Sequence, residues 1–179
     1  MYTTIDYLET GNDRQRAIFD VLNKLGIMKD LAYYNPVLCG TFPIEIDVQG
    51  SDLDIIFEVY DVKSFEKRVK LLYGEFSGFQ IKHKQIRERA VVKVNFLMGG
   101  YEFELFGQAQ PVFEQYAYLH MIIESKLLNK WPHIKEEIIA LKRQGIKTEQ
   151  AFCQVLGIHD VDPYESLIQY GKKQGFICE

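Results

Sequence analysis

The sequence predicts an α+β fold, in which a half of mixed strands and helices is followed by an all-helical half. Three observations carry this. Apolar runs with period-two character and β-branched content recur between Pro36 and Phe106. Helical spacing of apolar residues precedes and interrupts them, and from Pro111 onward helical patterns take over entirely. We expect residues 1–110 to form the α/β domain and residues 111–179 a helical segment packed on it.

Element by element, Asp13 can cap a helix carrying Ala17, Ile18, Val21, Leu22 and Leu25, ended by Gly26. Pro36-Val-Leu-Cys-Gly reads as a short buried strand, and Leu53-Asp-Ile-Ile-Phe-Glu-Val as a second. Ser64 can cap a helix with Phe65, Val69 and Leu72 on one side, closing near Gly74. Phe79 to Lys84 and Ala90 to Met98 read as strands. Gly99-Gly100 is a hairpin turn signal, and Tyr101 to Phe106 is the returning strand. Four helices are then expected over Phe113 to Leu128, Pro132 to Gln144, Thr148 to Leu156 and Pro163 to Tyr170.

Composition narrows the function. At 47% hydrophobic and 26% charged, the 179 residues are those of a folded globular protein with a real core. Three cysteines, odd in number and far apart, support neither a disulfide framework nor a Cys/His zinc site, so a reducing cytoplasmic setting is expected. No basic n-region leads an apolar core, and no run approaches a membrane span, so neither export nor a membrane is expected. A net charge of -4 argues against a protein whose main task is gripping long nucleic acid. Charge is unevenly distributed: Leu31 to Val62 holds six acids and no Lys or Arg, while Lys63 to Lys93 holds nine Lys or Arg. An acidic strand region followed by a basic one suits a metal and phosphate site, and it equally describes two solvated faces.

The acids are the informative part. Asp52 and Asp54, two apart on a strand, share one face while Leu53 and Ile55 take the other. Glu102 and Glu104 do the same on the strand Tyr101 to Phe106. If these strands are neighbours, three or four carboxylates converge, and such an oxygen-only cluster suits Mg²⁺ or Mn²⁺. Gly40-Thr41 follows the first strand; a glycine there lets the backbone approach a ligand, and adjacent amides with a Thr hydroxyl can donate to a phosphate.

Gly40-Thr41, ten residues, then Asp52-Leu53-Asp54 between hydrophobics resembles the signature of the DNA polymerase beta-like nucleotidyltransferase superfamily. The resemblance covers roughly residues 36 to 106. It implies a mixed β-sheet flanked by helices, with a helical segment after it. The stretches "FELFGQAQPVFEQYAYLHMIIESKLL" and "GIKTEQAFCQVLGIHDVDPYESL" are similar to an uncharacterised bacterial branch of that superfamily, a domain of unknown function. By resemblance, Gly40 and Thr41 contact nucleotide phosphates and Asp52 and Asp54 hold the metals. The third acid falls on Glu104, with Glu102 on the same face as its rival and Asn95 at another position where a third acid could have stood, an Asn there making a weakened site.

The resemblance further implies transfer of a nucleotidyl group from a nucleoside triphosphate to an acceptor that the sequence does not identify. Ser51, at the end of the spacer, is expected among the nucleotide contacts. Cations for the triphosphate are expected from Lys82 and Lys84, in a run with Arg87 and Arg89 that also reads as a solvated hairpin. The spacer Phe42 to Ser51 holds two acids and no base, where related enzymes commonly place a helix and a basic residue. That leaves a second expectation open, a catalytically degenerate member that binds a ligand or a protein partner. In the helical half, Tyr116, His120 and Glu124 align at i, i+4 spacing, either as a substrate-facing row or as a satisfied half-buried set.

Overall fold

The structure, a computed structural model, describes residues 2–178. Helix α1 (Asp13–Leu25) starts from Asn12 rather than Asp13. The Asn12 side chain accepts from the Gln15 amide at 2.9 Å and the Gln15 side chain accepts from the Asn12 amide at 3.1 Å, a reciprocal capping box. Gly26, in the left-handed conformation at φ 74°, ends α1 and opens the short α2 (Ile27–Asp30), a turn that periodicity alone does not reveal.

Five strands follow: β1 (Val37–Leu38), β2 (Leu53–Glu58), β3 (Gln80–Ile86), β4 (Arg89–Met98) and β5 (Tyr101–Gln108). They form one mixed sheet in the order β1-β2-β5-β4-β3. Only the β2/β5 pair is parallel. Helix α3 (Val62–Tyr73) makes the crossover out of β2; its cap is Asp61, which accepts from the Ser64 amide at 3.1 Å, so Ser64 lies inside the first turn. Gly99 and Gly100, at φ 62° and 85°, turn β4 into β5, as their conformational freedom predicts.

The helical half comprises α4 (Tyr116–Lys130), α5 (Ile134–Arg143), α6 (Thr148–Val155) and α7 (Pro163–Lys173). Gly171 on α7 lies so close to α4 that a Cβ there would meet Ile123 at 2.5 Å. Strand alternation divides the apolar residues between two cores. Leu53, Ile55 and Phe57 pack with Ile18, Phe65 and Val69 under α1 and α3. Val37, Cys39 and Ile56 pack with Met121, Ile138 and Phe152 of the helical half. The sheet is therefore sandwiched between two helical layers, and the face bearing Ile56 also bears Asp52 and Asp54. Among the described residues no helix is long and apolar enough to cross a membrane.

Candidate metal and nucleotide site

Parallel pairing of β2 with β5 sets Asp54 directly opposite Glu104. With Asp52 one alternation earlier on the same face, one carboxylate oxygen from each of the three lies within 4.8 Å of the others. All three side chains are half-buried. They sit in a cleft of about 740 Å³ between the sheet and the helical half. Burial, reinforced by Asp52 and Glu104, pushes the Asp54 carboxyl well above its usual range, with Lys93 opposing. Three converging carboxylates without a thiolate or imidazole among them are a donor set that could hold a hard divalent cation, and their chemistry suits Mg²⁺ or Mn²⁺.

Gly40 touches this cluster through its own backbone. It has φ 76°, and a Cβ at that position would lie 2.4 Å from Asp54 Oδ2. The Cys39 amide donates to the Asp54 carbonyl at 2.8 Å, locking β1 against β2 at this point. Thr41 and Ser51 line the same cleft. Ser51 Oγ accepts from the Val48 amide at 2.9 Å, which closes the end of the spacer.

The spacer has turns where a helix would carry a base, and it is held from outside. Arg14 on α1 pairs with Asp47 at 2.7 Å and donates to the Val48 carbonyl at 2.9 Å. Gln15 donates to the Phe42 carbonyl at 3.0 Å. The Asp47 side chain is only 4% exposed, and burial raises its pKa while Arg14 opposes the rise. Arg14→Ala leaves that carboxylate without its cation; because Arg14 is itself nearly half exposed, the expected loss is about 1–2 kcal/mol. Urea unfolding of the variant checks it.

Of the two lysines expected to face a triphosphate, Lys84 lines the cleft and Lys82, on the same strand face one rung away, does not. Lys93, which sequence reasoning passed over, does. It is the neighbour of Lys82 on β4, ion-pairs with Glu104, and lies 5.4 Å from the Phe106 ring centroid. The signal was present in the alternation of Ala90 to Met98, but its use required knowing that β4 lies against β5. Asn95 donates to Glu104 at 3.3 Å and to Glu102 at 3.0 Å, so it orients the glutamates. Glu102 is exposed and falls outside the carboxylate group.

The basic hairpin is solvated, as one of the two readings expects, with every residue from Lys82 to Ala90 exposed, and its tip is also anchored. Arg87 and Glu88 make the β3–β4 turn at φ 50° and 64°. Arg87 then reaches the helical half, pairing with Asp162 at 3.2 Å and Glu165 at 3.8 Å and stacking 4.6 Å from the Tyr116 ring centroid. Tyr116 donates to Glu165 at 2.8 Å. The hairpin thus bridges sheet and helices across the cleft.

The row Tyr116, His120 and Glu124 faces the cleft from α4. His120 donates through Nε2 to the Tyr164 carbonyl at 2.8 Å, its Nδ1 is 3.7 Å from Glu149, and burial lowers its pKa. Lys142 of α5 donates to Thr148 Oγ1 at 2.6 Å. Burial lowers the Lys142 pKa against the pull of Glu124, Glu149 and Asp52. No local pattern marked Lys142 or Glu149, because their partners are distant in the chain.

Residues 20–170 match the family described as Domain of unknown function (DUF4269). The chain belongs to that family. No functionally curated protein matches the sequence. Among solved structures, the fold is similar to a mutant Cid1 poly(U) polymerase bound to MgATP, at 16% identity and TM-score 0.56, covering 81% of this chain and 49% of that one. It is also similar to the GLD-2/RNP-8 complex (12%, TM-score 0.53, covering 84% and 60%) and to the polymerase core of TRAMP, an RNA surveillance complex (9%, TM-score 0.52, covering 93% and 55%). This member of DUF4269 spans less than two thirds of the length of these chains. At such identities the likeness establishes a nucleotidyltransferase-like fold.

Proposed function

We propose that this DUF4269 protein is a divalent-metal-dependent nucleotidyltransferase that moves a nucleotidyl group from a nucleoside triphosphate to a hydroxyl acceptor. The observation that carries the proposal is the in-register pairing of Asp54 with Glu104 beside Asp52, inside a cleft edged by Gly40-Thr41. Asp52, Asp54 and Glu104 hold the metal. Gly40, Thr41 and Ser51 offer amides and hydroxyls to the phosphates, and Lys84 and Lys93 face the triphosphate; Lys82 is left out of the assignment.

A divalent cation held by Asp52, Asp54 and Glu104 would supply positive charge against the triphosphate. The chain's own residues do the rest. Lys93, released from Glu104, pairs with a phosphate oxygen. Glu104 accepts the proton of the acceptor hydroxyl as its oxygen bonds to the α-phosphorus, and the bond to the bridging oxygen breaks with its electron pair leaving on pyrophosphate.

Calorimetric titration of ATP, UTP, GTP and CTP, with Mg²⁺ and with EDTA, tests this reading. Binding that requires the cation is the expected result, and no binding by the folded protein sinks it. Lys93→Met is expected to weaken Mg²⁺-nucleotide binding roughly tenfold, the size of one charge-assisted hydrogen bond. The same change leaves Mg²⁺ alone bound at least as tightly, since Glu104 loses a competing partner. A second reading, a nucleotide-binding protein without transfer, draws on the spacer: its nearest base, Arg14, is spent on Asp47 and Val48. Pyrophosphate release upon addition of an acceptor separates the two.

A further inference from the structure

The cleft also contains a buried carboxyl group that the nucleotide does not need. Glu124 on α4 is 3% exposed and lines the cleft, and its Oε1 has no hydrogen-bond partner. A buried carboxylate oxygen left unpaired is expensive and rarely survives without a use. Its surroundings make the deficit larger. Burial, reinforced by Glu149, pushes the Glu124 carboxyl well above its usual range, Lys142 opposes that rise, and the Lys142 ammonium is itself donating to Thr148. His120 is engaged at Nε2 by the Tyr164 carbonyl with its Nδ1 3.7 Å from Glu149, so it serves Glu149 rather than Glu124, and Arg87 is engaged by Asp162 and Glu165. Glu124 Oε1 is therefore a buried oxygen on the cleft lining with no donor to meet it.

We propose that Glu124, with Glu149 beside it, binds a primary ammonium group of the acceptor, so that the substrate class is an amine-bearing hydroxyl compound. This deepens the nucleotidyl-transfer reading and rests on it for the word acceptor. The two are separable because the amine site is built from the helical half and the nucleotide site from the sheet. A cation at Glu124 gains a charge-assisted hydrogen bond in a site that excludes most water. A neutral polyol of the same shape leaves the carboxylate as unsatisfied as before. Discrimination between the two thus comes from one buried group.

The test is calorimetric titration of two matched pairs, glucosamine against glucose and 1,3-diaminopropane against 1,3-propanediol, into the full chain with Mg²⁺ and no nucleotide. Each amine is expected to bind about tenfold or more tightly than its neutral partner. Glu124→Gln is expected to remove that preference while melting no lower than the wild type, which shows that the variant is folded. Equal binding of amines and alcohols overturns the proposal, as does a preference that survives in Glu124→Gln. If Glu124→Gln instead reorders ATP against UTP and leaves the amines unaffected, the pocket reads a nucleobase and the proposal falls. Failure of the wild type to bind Mg²⁺-nucleotide is a separate result that removes the transfer reading and leaves the amine comparison to be judged by itself.

Discussion

Replacing Asp52 and Asp54 together with asparagine is expected to abolish metal-dependent nucleotide binding while making the metal-free protein more stable. The two effects share a cause. In the absence of a cation, Asp52, Asp54 and Glu104 are like charges whose oxygens lie within 4.8 Å, and the Asp54 carboxyl is pushed well above its usual range by that crowding and by burial. Asparagine keeps the shape and removes the repulsion, which should add about 1–3 kcal/mol to metal-free stability. For a chain of this size that is roughly 2–4 °C in melting temperature per kcal/mol.

Divalent metal reverses the order. At about a hundred times its dissociation constant, Mg²⁺ stabilises the wild type by about 2.7 kcal/mol through mass action. The double variant has nothing to hold it with. Differential scanning calorimetry with and without Mg²⁺ therefore yields crossing results: the variant melts higher in EDTA and the wild type gains with metal. A wild type indifferent to Mg²⁺ and Mn²⁺, or a variant that responds as the wild type does, refutes the assignment of these carboxylates to a metal.

Gly40→Ala is the second large effect. Two independent penalties coincide at this position. The backbone is left-handed at φ 76°, which costs a residue with a Cβ about 1 kcal/mol or more. The added methyl would also stand 2.4 Å from Asp54 Oδ2, well inside contact distance, so either the carboxylate or the β1–β2 turn must move. We expect a loss of about 2–3 kcal/mol in urea unfolding, together with a fall in Mg²⁺-nucleotide affinity of at least tenfold. Gly50→Ala is the control. It has the same left-handed geometry at φ 82° and nothing within 4 Å of its Cβ, so it bears only the backbone penalty. If Gly40→Ala and Gly50→Ala behave alike, the close approach of Gly40 to Asp54 carries no functional weight.

Much of this architecture was legible in the chain because it is governed by short-range rules. Period-two alternation placed Asp52 with Asp54 and Glu102 with Glu104, since a strand's side chains must alternate faces whatever surrounds it. Gly99-Gly100 was readable as a tight reversal because glycine takes positive φ without strain, whereas the Arg87-Glu88 turn, made at positive φ by two residues with side chains, carried no such signal. Helix ends were read less well: Asn12 and Asp61, not Asp13 and Ser64, are the caps, because capping is decided by which side chain can reach the third amide.

What the sequence could not decide is adjacency between strands and between halves. That β5 lies parallel to β2 with Glu104, not Glu102, opposite Asp54 is a matter of register, set by burial of Phe103 and Leu105 against Leu53 and Ile55 in one core. The choice of Lys84 and Lys93 over Lys82 depends on which rung of the sheet faces the cleft. The Arg87 bridge to Asp162, and the meeting of Glu124, Lys142 and Glu149, join residues on different elements. Local propensity acts over a few residues, whereas a cleft electrostatic environment is summed over every element that packs around it, so the acidic motif was readable in the chain and its partners became visible only in the fold.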